Sequence, residues 1–152
     1  MLPFVRLWSL QLTPLSVAGC VLGIAGGLIR TRCYRELGRF FTFEVAVRDD
    51  HKLVTTGPYS IVRHPGYIGY FLLTAGNIIL LASKGSWFRE SGLWKTLWGK
   101  GIACAATAFM VTVALRLFRR VSEEDQMLKK EFGEGWDEWA KKTPYRLIPY
   151  VY

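Results

Sequence analysis

The chain has 152 residues, 51% of them hydrophobic, a mean hydropathy of +0.17 and a formal net charge of +8. That length holds one domain, and so much apolar surface beside so much charge argues against an ordinary soluble one. The Lys and Arg residues flank apolar runs, so the basic excess points to anionic lipid headgroups rather than nucleic acid.

The first apolar segment, residues 7–29, lies between Arg6 and Arg30 and contains no charge. It is long enough to span a bilayer with some tilt. It is too long for a signal-peptide core and no small-residue cleavage pattern ends it, so a retained anchor is expected. Thr13 and Pro14 kink this segment or start its helix proper. Gly19, Gly23 and Gly27 recur every fourth residue, a ridge that lets another helix approach closely; a helix-mediated homo-oligomer is one use of it. Cys20, Cys33 and Cys104 are odd in number and far apart, so neither a disulfide nor a zinc site is expected.

Residues 31–52 are polar and basic. Within them, residues 37–47 alternate aromatic or apolar with polar side chains, which suits an extended or interfacial segment at headgroup level. Glu44, an acid among these aromatics, is either a solvated charge or turned toward a bound cation. Residues 53–69 then gather two prolines, three glycines, two tyrosines, Arg63 and His64 between apolar regions. The second apolar run, residues 67–83, follows Pro65, a residue suited to the first turn of a helix. Trp87 and Trp94 fit a membrane–water boundary. The third run, residues 93–118, has Lys95 and Lys100 near its start to snorkel outward.

Beyond it, Ser122 and Asp125 have the spacing of a capping box, which predicts a new helix from Glu123 to Phe132 stopped by Gly133. Trp136, Trp139 and Ala140 mark a second short amphipathic helix. Residues 143–152 are too rich in proline for helix and too apolar for water, so the tail should fold back onto the membrane face or the site. Fifteen of the twenty Lys and Arg residues lie in 30–63 and 116–146. By the positive-inside rule that side is cytosolic. Three spans then place the N-terminus outside. The expected architecture is all-α and membrane-integral: spans at 7–29, 67–83 and 93–118, and cytosolic segments at 30–66 and 119–152, forming one domain.

No GxGxxG follows a predicted strand and no P-loop is present, which excludes a Rossmann dehydrogenase or methyltransferase and a kinase. Arg63 and Arg120 either snorkel to headgroups or grip a carboxylate or phosphate. Arg120 and Glu124 are helix neighbours if the helix continues. His64 is either structural or part of the chemistry.

Leu53-Val-Thr-Thr-Gly-Pro-Tyr59, Arg63-His-Pro-Gly-Tyr-Ile-Gly69, Glu123-Glu124, Phe132-Gly133, Trp136 and Trp139 together resemble the isoprenylcysteine carboxyl methyltransferase family. Leu37-Gly-Arg-Phe-Phe-Thr-Phe-Glu44 and Tyr145-Arg-Leu-Ile-Pro149 extend the resemblance over about residues 37–152. Related phospholipid methyltransferases and the C-terminal part of membrane sterol reductases carry similar pieces. The resemblance implies a membrane enzyme of the endoplasmic reticulum with a cytosol-facing S-adenosyl-L-methionine pocket and a lipid-side entrance. Its implied product is the methyl ester of the C-terminal prenylcysteine of prenylated CaaX-type proteins. Carried over residue by residue, the cofactor contacts fall on Glu44, His51, Lys52, Leu53, Val54, Tyr59, His64, Pro65, Gly66, Tyr67 and Glu124, with Glu123 the alternative to Glu124. The substrate-holding arginine falls on Arg120, which leaves Arg63 as an interfacial anchor, and no metal is implied. Family members carry more spans ahead of this core. That leaves a minimal enzyme, a shortened product and a non-catalytic paralogue as readings, beside a methyltransferase acting on phospholipids or other small lipids.

The chemistry agrees with a site lacking a catalytic dyad or triad. A prenylcysteine α-carboxyl has a reference pKa of about 3.5, so it is already a nucleophile at neutral pH. Transfer of a methyl group to it needs orientation and dehydration, not a general base. Tyr59 and Tyr67 offer aromatic faces to a cation.

Overall fold

A computed structural model describes residues 10–40 and 52–152. Among them there is no β-strand. The helices are α1 (Pro14–Leu37), α2 (Pro65–Ala82), α3 (Trp87–Glu90), α4 (Leu97–Phe132) and α5 (Glu134–Lys142), with 3-10 turns at Gly38–Phe40, Gly57–Ser60 and Leu93–Lys95. Three helical segments, at Pro14–Phe40, Pro65–Glu90 and Leu97–Phe132, are long and apolar enough to cross a membrane. The expected all-α membrane architecture is therefore what the chain adopts. Glu44 and His51 lie outside the described residues, as does most of the segment expected to be extended.

Local chemistry sets most helix ends. The helix in the first apolar run starts at Pro14, because Thr13 and Ser16 cap it reciprocally. The Ser16 amide donates to Thr13 Oγ1 at 3.1 Å and the Thr13 amide donates to Ser16 Oγ at 2.8 Å, the two bonds of a capping box. Pro65 opens α2. Thr96 caps α4 by accepting the Gly99 amide at 2.9 Å.

One boundary differs from expectation. The helix predicted to begin after Ser122 does not begin there: α4 runs unbroken for 36 residues to Phe132. A helix of that length is about 54 Å long, against about 30 Å of hydrocarbon core, so its charged C-terminal part extends past the bilayer. Gly133 then ends it at φ 51°, a conformation that only glycine adopts without strain.

The chain forms two compact units. One takes residues up to Gly26 together with Phe71–Ala114, the other Gly27–Tyr70 together with Leu115–Tyr152. In the first unit, α1 and α2 meet backbone to backbone. A Cβ on Gly76 would lie 2.6 Å from the Gly19 carbonyl oxygen and 2.7 Å from the Gly23 nitrogen. The first part of the glycine ridge thus packs on α2 of the same chain, while a Cβ on Gly23 or Gly27 would meet nothing within 4 Å. The second unit has a small, dense core of Cys33, Val62, Val121, Trp139 and Leu147, all buried. This unit carries the candidate site.

Candidate active site

The second unit is assembled on the loop before α2. Thr56 donates its hydroxyl to Glu36 near the end of α1, which ties the loop down. The turn Gly57–Ser60, with Pro58 in its first positions, then directs Tyr59 inward. Burial pushes the Tyr59 phenol well above its ordinary range, and the neighbouring Cys33, Glu124 and Tyr67 add to the effect. The Trp139 indole of α5 donates to the Tyr59 carbonyl at 3.1 Å, and Thr143 Oγ1 donates to the Ser60 carbonyl at 3.4 Å. So α5 and the tail close over this loop.

Next comes a buried ionic cluster. Arg63 Nη2 donates to Asp125 Oδ2 at 3.1 Å, and His64 Nε2 lies 2.9 Å from Asp125 Oδ1. Arg146 Nε reaches Asp125 Oδ2 at 3.2 Å. Arg63 Nη1 also donates to the carbonyls of Thr143 and Pro144, at 3.2 and 3.1 Å. Two backbone bonds complete the join: the Arg63 amide donates to the Tyr145 carbonyl and the His64 amide to the Arg146 carbonyl, both at 2.9 Å. The tail therefore folds back onto the Arg-His-Pro segment.

Burial alone would raise the Asp125 carboxyl. The hydrogen bond from His64, with the charges of His64 and Arg63, instead holds it below the usual carboxylate range. As a carboxylate Asp125 only accepts, so His64 Nε2 carries the hydrogen and donates it. That leaves His64 Nδ1 on the side of Glu124, at 3.8 Å from its Oε2.

On that side, Tyr67 donates its hydroxyl to Glu124 Oε2. The His64 and Tyr67 rings stack with centroids 5.5 Å apart and 5° between planes. Arg30 closes the N-terminal edge of α2: its Nη1 donates to the Gly66 carbonyl at 3.2 Å, it bonds the Tyr34 hydroxyl, and it lies over the Tyr70 ring at 5.6 Å. Arg120, one helical turn before Glu124 and on the same face, is close enough for its charge to act on the Tyr67 phenol.

His64, Tyr67 and Glu124 are thus in mutual contact, with Tyr59 and Arg120 within electrostatic reach. Pro65 is buried and Gly66 half-buried at the start of α2, while Leu53 and Val54 are half-buried and Lys52 exposed on the loop. Of the acidic pair, Glu124 turns to Tyr67 and Glu123 is exposed. Two expectations fail. Arg63 is not a headgroup anchor, since it is 8% exposed and bound to a carboxylate. Asp125 is not a capping residue, since α4 is continuous there. Sequence reasoning also missed Arg146; the available signal was that it is the single charged residue in the apolar, proline-containing tail 143–152.

Among the described residues, no group of three His, Cys, Asp or Glu side chains is placed to hold a metal ion. What the arrangement offers is a half-exposed carboxylate flanked by aromatic rings, suited to a cation or to hydroxyl donors, with a guanidinium nearby suited to an anion.

Residues 17–88 match the isoprenylcysteine carboxyl methyltransferase (ICMT) family. The chain is 30% identical over 135 residues to protein-S-isoprenylcysteine O-methyltransferase B of Arabidopsis thaliana, covering 88% of this chain and 58% of that protein. To the protein-S-isoprenylcysteine O-methyltransferase of Homo sapiens it is 31% identical over 144 residues, 93% of this chain and 43% of that one. A Delta(14)-sterol reductase of Mus musculus is 31% identical over 101 residues, 66% of this chain and 20% of the reductase. The chain spans about half the length of the curated methyltransferases it matches. No solved structure matches it. By the match over residues 17–88 and by relatives aligned along most of its length, the chain is similar to the isoprenylcysteine carboxyl methyltransferase family.

Proposed function

We propose that this chain is a single-domain S-adenosyl-L-methionine-dependent methyltransferase core that esterifies the C-terminal prenylcysteine carboxylate of prenylated proteins. The observation that carries this reading is the joining of Tyr67 and His64 to Glu124, residues 57 and 60 positions apart in the chain, with Arg120 one turn away. The Glu124 side chain is 29% exposed, so a ligand can reach it. A carboxylate beside two aromatic rings fits a sulfonium nucleoside, which presents both a cation and ribose hydroxyls.

The cofactor supplies, when bound, an electrophilic methyl group. Glu124, His64 and Tyr67 would hold the cofactor, with Tyr59, Pro65, Gly66, Lys52, Leu53 and Val54 around it; Glu44 and His51 join this set by family resemblance. Arg120 grips the acceptor carboxylate through paired N–H donors and fixes its direction. The carboxylate is ionised at neutral pH, so no residue has to remove a proton. Its dehydration near the membrane surface raises its reactivity. By family resemblance we place the enzyme in the endoplasmic reticulum membrane, and we orient this site to the cytosol because the positive-inside rule assigns the segments richest in Lys and Arg to that side.

Calorimetric titration with S-adenosylhomocysteine and a prenylcysteine methylation assay test the reading together. Wild-type protein should bind the nucleoside and methylate the analogue. Glu124→Ala should lose binding, and Arg120→Ala should keep binding and lose turnover. Absence of nucleoside binding, or wild-type turnover in both variants, overturns it. The likeness of 66% of this chain to part of a sterol reductase shows that the segment is not confined to prenylcysteine enzymes, and the second reading is a methyltransferase whose acceptor is a phospholipid or another small lipid. A substrate panel separates the two: an amine acceptor must lose a proton and gains nothing from Arg120.

A further inference from the structure

The segment between Ala82 at the end of α2 and Leu97 at the start of α4 has no part in the site above. It encloses an open cleft of about 370 Å³ lined by Lys84, Arg89, Glu90, Gly92, Trp94 and Lys95. Its frame is fixed from within. Ser83 and Ser91 are buried, and their hydroxyls donate to the Ile79 and Phe88 carbonyls at 2.7 and 3.0 Å. Arg89 Nη1 donates to the Ala82 carbonyl at 2.9 Å, and the guanidinium lies 5.7 Å over the Trp94 ring. Phe88 in turn meets Trp94 edge-on at 5.9 Å. Arg89 is therefore aimed, with donors left over.

The charge of the cleft is unbalanced. Glu90, the acid of the lining, already accepts the Gly85 amide on Oε1 at 3.1 Å. Lys84 and Lys95 are exposed, and neither makes an ion pair among the described residues. Three cations thus face one engaged carboxylate. A phosphate, with several oxygens, can meet a guanidinium and two ammonium groups at once. Trp87, Trp94 and Trp98 are 58%, 41% and 85% exposed around this segment, and indole rings favour headgroup depth. Two membrane-length helices end and begin here, so the phosphate available at this depth belongs to a lipid.

We propose that this cleft is a headgroup site for an anionic phospholipid, with Lys84, Arg89 and Lys95 on the phosphate and Trp94 beside the glycerol. Zwitterionic headgroups are disfavoured because their ammonium group would meet the remaining positive charge.

Native mass spectrometry of the delipidated protein, given equal dioleoylphosphatidylglycerol and dioleoylphosphatidylcholine, reads this directly. Wild-type protein should retain the anionic lipid in preference. Neutralising an exposed lysine at a lipid surface weakens attachment by about fivefold, so Lys84→Gln with Lys95→Gln should weaken it by about 25-fold. Both side chains are exposed, so folding should survive, and far-ultraviolet circular dichroism checks that. Lys141→Gln with Lys142→Gln, outside the cleft, should leave the preference intact. Equal retention of the two lipids overturns the proposal. So does an unchanged preference in the Lys84/Lys95 variant, or an equal loss in the Lys141/Lys142 variant. Inorganic phosphate or glycerol 3-phosphate binding as tightly as the lipid would mean a soluble-phosphate site and would overturn the lipid assignment.

Discussion

Replacing Asp125 by alanine tests how the second unit is held together. The carboxylate serves Arg63, His64 and Arg146 at 3.1, 2.9 and 3.2 Å and is 5% exposed. Removing one partner of a buried ion pair costs about 3–5 kcal/mol, because the other charge is left uncompensated. Here the lower end applies. Arg63 keeps its bonds to the Thr143 and Pro144 carbonyls and its place 5.6 Å over Trp136, and the Arg146 side chain is 36% exposed and can turn to water. About 3 kcal/mol corresponds to roughly a 150-fold larger population of the opened tail. The amides of Arg63 and His64, bonded to Tyr145 and Arg146, report that opening by hydrogen exchange in detergent. They should lose about 150-fold of their protection in Asp125→Ala while amides in the membrane part of α4 keep theirs. Asp125→Asn, which keeps an acceptor but not the charge, should fall between. Unchanged protection at Arg63 and His64 would refute the reasoning. The pH sign follows from the depressed carboxyl. Its contribution is complete above the ordinary value of about 3.9 and is lost as pH falls through the lower folded value.

Other expectations are as direct. Tyr67→Phe keeps the ring on His64 and removes the hydroxyl from Glu124, so S-adenosylhomocysteine affinity, under the proposed function, should fall about tenfold, the worth of a bond to a charged acceptor. Gly76→Ala forces a Cβ to 2.6 Å from the Gly19 oxygen and should cost about 1–3 kcal/mol in thermal unfolding, whereas Gly23→Ala meets nothing and should be nearly neutral. Tyr59, whose phenol is pushed far up by burial, should contribute no tyrosinate absorbance up to pH 11, so Tyr59→Phe should leave that part of the spectrophotometric titration unchanged.

Much of the fold was legible because its signals are local. Apolar runs marked the three long helices, Pro65 marked the start of α2, Gly133 marked the stop of α4, and the Trp136–Ala140 spacing marked α5. Each depends on residues within a turn or two of each other. The same local reasoning misread Ser122 and Asp125, because a capping pattern inside a helix that simply continues has no free amides to cap. It misread Arg63 for a related reason: a basic residue at an apolar boundary looks like an anchor until a buried carboxylate is found for it.

By itself the sequence determined the all-α membrane class, the family resemblance and the tail's return toward the chain, since all three follow from composition, period and short motifs. Tertiary structure alone decided which partner each polar group takes. Asp125 meets Arg63 across 62 positions and Trp139 meets the Tyr59 carbonyl across 80. Gly76 is where α2 approaches the backbone of Gly19 and Gly23 within the same chain. The physical reason is the same in each case: an amphipathic pattern states that a face must be covered, but burial energy is non-directional. Only the assembled backbone chooses which hydrogen bonds and ion pairs the covered groups can make.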